Sequence, residues 1–435
     1  LARLSNVQCV ELNKIKKLFN KMQYNNISPN EKRNIAIDTY DTYAGQVQAI
    51  LREANTHFGI EKIEDLSLDI FKKLIEKRVE NFLDGEFSES NNINSKLTAF
   101  KAFLIGMDKT NVYRKTKRTS EVSKIGYKDD IEIGTKDDIK EIRKFVGESG
   151  VLRKGSDSTV LRAKPDQVMA VVDNVRKNGY NTINRATAAD IALLSLASGA
   201  RVSSCLKMRA RDIDFDNKCI TMKNAKGGLT YYVDINDKDI PLLKSLVENL
   251  QPAQKIFELR RKDGTLLSGE ESRKIVHRYI KEAGVDFYEV EKREITQKNG
   301  TKIEVDHTKN FAFHSIRKAY ALKIMGLYID KIKSQKDIIK EVERISKRDP
   351  KILDKYQKLI NRSNYYRVEK NKKIVRENKE RLKLKLPKSP LLPLKTEVSI
   401  KSAVTFFTSI QLGHFRNDIV TNYYCTFEEA IKNKR

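Results

Sequence analysis

The stretch ATAADIALLSLASGARVSSCLKMRARDIDF, residues 186 to 215, carries most of what the sequence says about the fold. Its first half, as far as Ser198, is apolar nearly all round, which reads as a buried helix. Gly199 breaks that helix, and a second one starts close to Arg201. Immediately after it, KCITMKNAKGGLTYYVDI (218 to 235) changes period, with two short β-rich runs flanking Gly227 and Gly228, a hairpin signal. Upstream, LRAKPDQVMAVVDNVRKNG (161 to 179) reads as a helix with Pro165 near its start. Downstream, helices alternate from Pro241 to Gly284, and REITQKNGTKIEVDH (293 to 307) reads as a second hairpin turning at Asn299-Gly300. FAFHSIRKAYALKIMGLYI (311 to 329) returns to helix. The pattern predicts a mainly α domain with a small antiparallel β component over residues 159 to 435.

The part before this domain has a different texture. Residues 1 to 30 read as an N-terminal helical extension and 31 to 115 as a small helical domain. IDTYDTYAGQVQAILREANTHFGI (37 to 60) and SLDIFKKLIEKRVENFL (67 to 83) are amphipathic there. Residues 116 to 158 are charged and marked by Gly and Ser, with one helical piece around Asp137 to Val146; this is expected to be an extended linker.

Lys and Arg number 85 against 58 Asp and Glu, a net charge of +27 over 435 residues. That excess is more than solubility needs and points to a polyanion, nucleic acid first and an anionic membrane second. No run approaches the roughly 18 apolar residues of a membrane helix, and no signal peptide is visible, so no membrane role is expected. The chain opens on Leu1 rather than Met, which reads as a trimmed start. Cys9, Cys205, Cys219 and Cys425 lie far apart without a Cys-x-x-Cys, against both a zinc module and a disulfide framework. The expectation is a cytoplasmic protein with reduced thiols. His57, His277, His307, His314 and His414 are not spaced as metal ligands, and no glycine-rich phosphate loop appears. Chemistry, if present, is expected to need no metal, cofactor or nucleotide.

The candidate set is Arg201, Lys226, His314, Arg317, His414 and Tyr423. Metal-free phosphodiester transfer asks for these types. A tyrosine hydroxyl, with a pKa near 10, attacks poorly until its proton is taken. The charge that grows on the non-bridging oxygens is best held by two planar guanidiniums. A lysine on a hairpin can protonate the leaving 5′-oxygen, and histidines can supply a base and a further hydrogen bond. Taken singly, each has a bland reading: a surface arginine, a packed histidine, a solvated hairpin lysine, a tyrosine pair in a short helix.

Jointly they resemble a known family. ASGARVSSCLKMRARDIDF (197 to 215) is similar to the first-arginine box of the tyrosine recombinases, the phage integrases and Xer-type enzymes. HSIRKAYA (314 to 321) resembles their His-x-x-Arg box, and LGHFRNDIVTNYY (412 to 424) resembles their Leu-Gly-His box with the nucleophile nine residues after the histidine. The resemblance implies that Arg201 and Arg317 hold the scissile phosphate, Lys226 acts as general acid, and His314 assists proton transfer. It further implies that His414 binds a phosphate oxygen and Tyr423 attacks, on one helix-borne box. Lys223 stands three residues before Lys226 and could replace it; Tyr424 adjoins Tyr423, and only the spacing prefers the latter. The family's acidic residue three positions after the first arginine is Ser204 here.

The implied protein is a site-specific recombinase closing a core-binding domain (31 to 115) and a catalytic domain around double-stranded DNA, as a homo-tetramer on DNA. It would cleave through a 3′-phosphotyrosyl intermediate and move or resolve a mobile element. A telomere resolvase making hairpin ends and a non-catalytic DNA-binding protein of the same fold are the alternatives. Residues 330 to 400 look like an insertion between the second and third boxes; 362 to 388 hold 11 Lys/Arg and 3 Glu, ahead of Pro387, Pro390 and Pro393. The insertion reads either as a solvated helical excursion or as extra DNA or subunit contact. The short tail after Tyr423 could dock on a neighbouring subunit.

Overall fold

The computed structural model describes residues 6–28, 37–83, 90–110, 138–149, 159–177, 182–225, 229–296 and 302–433. They form two compact units, Leu1–Asp157 with Val290–His307, and Ser158–Glu289 with Thr308–Arg435.

The first unit holds α1 (Asn6–Tyr24), α2 (Ile37–Phe58), α3 (Leu68–Leu83), α4 (Ser90–Thr110) and α5 (Asp138–Glu148). Each turns one apolar stripe inward: Ile15, Leu18, Phe19 and Met22 from α1, Val47, Ile50, Leu51 and Ala54 from α2. Phe71 of α3 stacks on Phe100 of α4 with ring centroids 3.9 Å apart. Helix α1 is therefore part of this core rather than an extension from it. Helix α5, expected within an extended linker, also belongs here: Ile139, Ile142 and Val146, spaced three and four apart, are buried in the same core. Its amphipathic spacing outweighs the polar composition around it. The rest of the expected linker, 116–137 and 150–158, lies outside the described residues.

The second unit opens with α6 (Pro165–Lys177), α7 (Thr182–Ser198) and the single turn α8 (Val202–Cys205). A three-stranded antiparallel sheet follows, β1 (Ile213–Asp214), β2 (Cys219–Ala225) and β3 (Leu229–Asp234), in that order, with Ile220 opposite Val233. Then come α9 (Ile240–Val247) and α10 (Gly269–Ala283), after which the chain runs through a hairpin of β4 (Tyr288–Thr296) with β5 (Lys302–Asn310), most of which, Val290–His307, belongs to the first unit. The remainder is helical: α11 (Phe313–Lys331), α12 (Gln335–Ser346), α13 (Lys351–Lys383), α14 (Ile400–Gln411), α15 (Asn417–Tyr423) and α16 (Phe427–Lys432). The architecture is mainly α with small antiparallel sheets. Helix α11 is the axis, packed against α6, α7, α14 and α16 and buried on almost every side. A helix surrounded in this way can carry a polar group only where neighbours satisfy it, and that condition makes its Arg317 informative.

Residues 330 to 400 form α12, α13 and a returning strap. Asn364, Asn371 and Asn378, seven residues apart on α13, each clasp the strap's main chain twice. Asn364 receives Lys395 N–H at 2.9 Å and donates to its carbonyl at 2.7 Å. Asn371 does the same with Leu392 at 2.8 and 2.9 Å, and Asn378 with Ser389 at 2.7 and 2.8 Å. The clasped strap residues are three apart, the period of a polyproline II helix; Pro390 and Pro393, which lack an N–H, fall between them, and Pro387 precedes the first. The chain leaves the helix after Lys383 through the left-handed Lys385, and the prolines prepare the strap that lies along it.

Candidate active site

Gly199 (φ +63°) follows α7, and a Cβ there would stand 2.3 Å from the Tyr320 ring. Only glycine meets both conditions. The Ser195 hydroxyl donates to Ala200 O at 2.8 Å and closes the turn. The chain thereby delivers Arg201, half-buried with extended backbone, at the N-cap of α8. Ser204, where the resemblance has an acid, uses its backbone N–H to bond Arg201 O at 2.8 Å.

Arg317 is 1 % exposed. Its Nη1 donates to Gly199 O and one Nη2 hydrogen goes to Leu412 O, so the guanidinium joins the first box to the third. Its Nε donates to the Tyr424 hydroxyl at 3.0 Å, and Nη2 also meets His414 Nε2 at 3.3 Å. His414 Nε2 lies 2.8 Å from the same Tyr424 hydroxyl. A guanidinium can only donate, so Nε2 is the acceptor, the imidazole is the Nδ1–H tautomer, and the phenol donates its proton to Nε2. Burial works against the charge on Arg317, yet the Tyr424 and Tyr231 hydroxyls keep its pKa raised. On Arg201, burial and then the neighbouring Arg317 charge pull the pKa down. Arginine nevertheless stays protonated in proteins. The two guanidiniums act on each other, with tyrosines rather than carboxylates acting on both. Two neighbouring positive charges of this kind suit an anion.

The third box is not one helix. Gly413 and Phe415 have φ of +65° and +56°, and Gly413 N–H closes on Ile410 O, ending α14. His414 therefore sits in a turn between α14 and α15. Tyr424 caps α15 one turn after the buried Val420, on the same face. Tyr423, about 100° further round the helix, is 41 % exposed and is not brought to the cluster.

His314, in the first turn of α11, is half-buried with its ring 5.3 Å from that of Tyr424. Burial first, then Arg317, Lys318 and Arg201, push its pKa down to about 3, so it is neutral at pH 7. An unfolded histidine binds its proton near pH 6.5. Between about 3 and 6.5 the unfolded state holds the extra proton, so stability falls as pH falls, by up to about 1.4 kcal/mol per unit. We expect denaturation midpoints at pH 7 and pH 5 to differ less in His314→Gln than in the wild type. An unchanged difference would place the acid sensitivity elsewhere.

Lys226 lies outside the described residues. Lys223, its possible replacement, bonds Asp212 at 2.6 Å. Arg201, His314, Arg317 and His414 are brought together; Tyr423 is not.

Three members of the site's surroundings had no signal in the sequence. The Tyr231 ring fills the space over Gly413, where a Cβ would come within 2.5 Å of it. Asp234 on β3 accepts from Arg344 of α12 at 3.0 Å, from Arg348 at 2.6 Å and from Gln411 of α14 at 2.9 Å. Burial raises its pKa, but the two arginines hold it below the usual carboxylate range. Lys355 of α13 stands 3.0 Å above the ring of Phe415. The root of the insertion thus braces both the β2–β3 hairpin and the turn that carries His414.

Two guanidiniums, two imidazoles and a buried phenol are thus brought together on this helical frame. Residues 162–333 match the phage integrase family. No curated protein matches the chain. Among solved structures, a λ integrase tetramer bound to a Holliday junction is similar at 13 % identity, over 75 % of this chain and 71 % of that one, with a TM-score of 0.42. The Tn1549 transposon integrase with circular intermediate DNA is similar at 13 % over 74 % and 89 %, TM-score 0.37. XerA recombinase is similar at 12 % over 73 % and 85 %, TM-score 0.24. Among the described residues no His/Cys/Asp/Glu group could hold a metal, and no helix is long and apolar enough to cross a membrane.

Proposed function

We propose that this chain is a site-specific DNA recombinase that cleaves and rejoins duplex DNA through a 3′-phosphotyrosyl intermediate, with Tyr424 as the nucleophile. The observation that carries the reading is the Tyr424 hydroxyl, held by Arg317 Nε at 3.0 Å and by His414 Nε2 at 2.8 Å. A scissile phosphate brought to the two arginines takes guanidinium hydrogens of Arg201 and Arg317 on its non-bridging oxygens. His414 Nε2 accepts the phenol proton as the tyrosine oxygen bonds to phosphorus. The bond to the 5′-oxygen breaks, and that oxygen leaves with a proton, the role proposed for Lys226 on the β2–β3 hairpin. His314, neutral, gives a hydrogen bond without adding charge. One ester replaces another, so rejoining by a 5′-hydroxyl needs no nucleotide. Exchange between two duplexes asks for four such sites, hence a tetramer on DNA, and suits the movement or resolution of a mobile element.

The test is to offer the protein duplexes from the ends of the element that encodes it, nicked so that a cleaved fragment is lost. Denaturing gels report covalent protein–DNA adducts, and peptide mapping reports which tyrosine carries the phosphate. An adduct on Tyr424 is expected. Tight binding with no adduct on any such duplex would leave a DNA-binding protein without catalysis, and hairpin products from intact duplex would make it a telomere resolvase.

A further inference from the structure

On α13 a second row of residues accompanies the asparagine row. Lys358, Arg362, Lys372, Arg376, Lys379 and Lys383 recur at steps of three and four, with Tyr365 and Glu369 in the two remaining places. All six cations are exposed. At about 1.5 Å per residue the row runs roughly 38 Å, close to one turn of duplex DNA at about 34–36 Å. The apolar Val368, Val375 and Leu382 fall on the asparagine side of the helix, with Val375 and Leu382 exposed there.

The geometry points to a DNA-binding arm: we propose that the basic row of α13 lies along the phosphate backbone of duplex DNA, beyond the duplex held at the catalytic site. The proposal rests on the recombinase reading and extends it to a second contact. A lone helix so rich in like charge frays; here three asparagine clasps, Arg367 donating to Pro393 O at 2.6 Å and Arg381 donating to Pro387 O at 2.7 Å tie it to the strap. The arm holds cations in a fixed row, which is what a regularly spaced polyanion rewards. A second copy of this chain, at +27, is a poor partner for such a row. A membrane surface would want a continuous apolar face beside the lysines; Val375 and Leu382 are exposed on the strap side, but Asn364, Asn371, Asn378 and the main chain they clasp interrupt them.

The experiment compares the wild-type chain with Lys372→Gln/Arg376→Gln/Lys379→Gln/Lys383→Gln, and with the four-arginine version that keeps the charge. Binding is read by fluorescence anisotropy from 50 to 200 mM salt on a short duplex covering only the cleavage site and on one extended on both sides. On the extended duplex, each lost phosphate contact makes the log–log salt slope shallower by about 0.9, so up to about 3.6 for four. Wild-type affinity should then fall up to roughly 100-fold more across that range than the glutamine variant's. The arginine version should behave as wild type, and covalent cleavage of the short duplex should be unchanged in all three. Equal slopes on the extended duplex, with cleavage of the short one intact, would overturn the arm alone. Absence of binding and cleavage on every duplex would instead overturn the recombinase reading beneath it. A variant that binds DNA normally but loses affinity for anionic vesicles, or self-association, would assign the row to a membrane or to a second copy and sink the proposal.

Discussion

Tyr424→Phe removes covalent attachment to DNA, by roughly 10⁴-fold or more in single-turnover cleavage, whereas Tyr423→Phe leaves it within about tenfold. The two tyrosines differ by one residue and by their surroundings. The Tyr424 hydroxyl sits between Arg317 and His414 in a buried pocket, and that of Tyr423 is offered to solvent. Phenylalanine at 424 keeps the ring contacts with both histidines and deletes one oxygen. Its structural cost is the hydrogen bonds left unmade at Arg317 Nε and His414 Nε2, about 1–3 kcal/mol. Folding therefore survives while chemistry stops. The measurement is adduct yield on nicked duplex with both variants at equal DNA occupancy. The reverse outcome, adducts lost only with Tyr423→Phe, would return the nucleophile to the nine-residue spacing and require α15 to turn by about one residue on DNA.

Arg317→Ala is expected to fail twice. Gly199 O, Leu412 O and the Tyr424 hydroxyl all lose their donor inside the protein, a loss of about 3–5 kcal/mol in urea unfolding. The transition-state oxygens also lose one of two guanidiniums, worth roughly 10²–10³-fold or more in cleavage. Arg317→Lys separates the two effects. It restores a charge but not the planar fork that reaches three directions at once. Stability should recover in part and cleavage should stay at least about 100-fold down. Full cleavage with lysine would mean that the charge, not the fork, is what the phosphate reads.

The sequence was most legible where a residue's local pattern and its tertiary role coincide. The apolar run before Gly199 is a buried helix because every face of it meets the core, and the Gly227-Gly228 pair falls between two strands. Arg201, His314, Arg317 and His414 are each placed by a turn or helix whose signal is local, and they converge. The choice of Tyr423 over Tyr424 rests on the family's nine-residue spacing from His414. The left-handed Phe415 breaks the segment into two elements: a bulky residue at φ +56° carries no local signal, and Lys355 of α13 packs on its ring. The Asp234 network was illegible for a similar reason, since its arginines lie more than a hundred residues away and look like surface charge. Helix α5 was legible as a helix around Asp137 to Val146, but its charged neighbours hid that its three apolar residues, in register, belong to a core.

The clasps between α13 and the strap also set a rule for how such an arm can change length. Seven helical residues advance about 10.5 Å and three polyproline residues about 9.3 Å. Each rung therefore accumulates an offset of about 1.2 Å, small enough for a side-chain amide to absorb over three rungs and too large over many. An insertion or deletion that respects the ladder must add or remove seven residues on one side and three on the other together. Relatives of this arm should then differ in length by ten residues at a time, and their rungs should stay few.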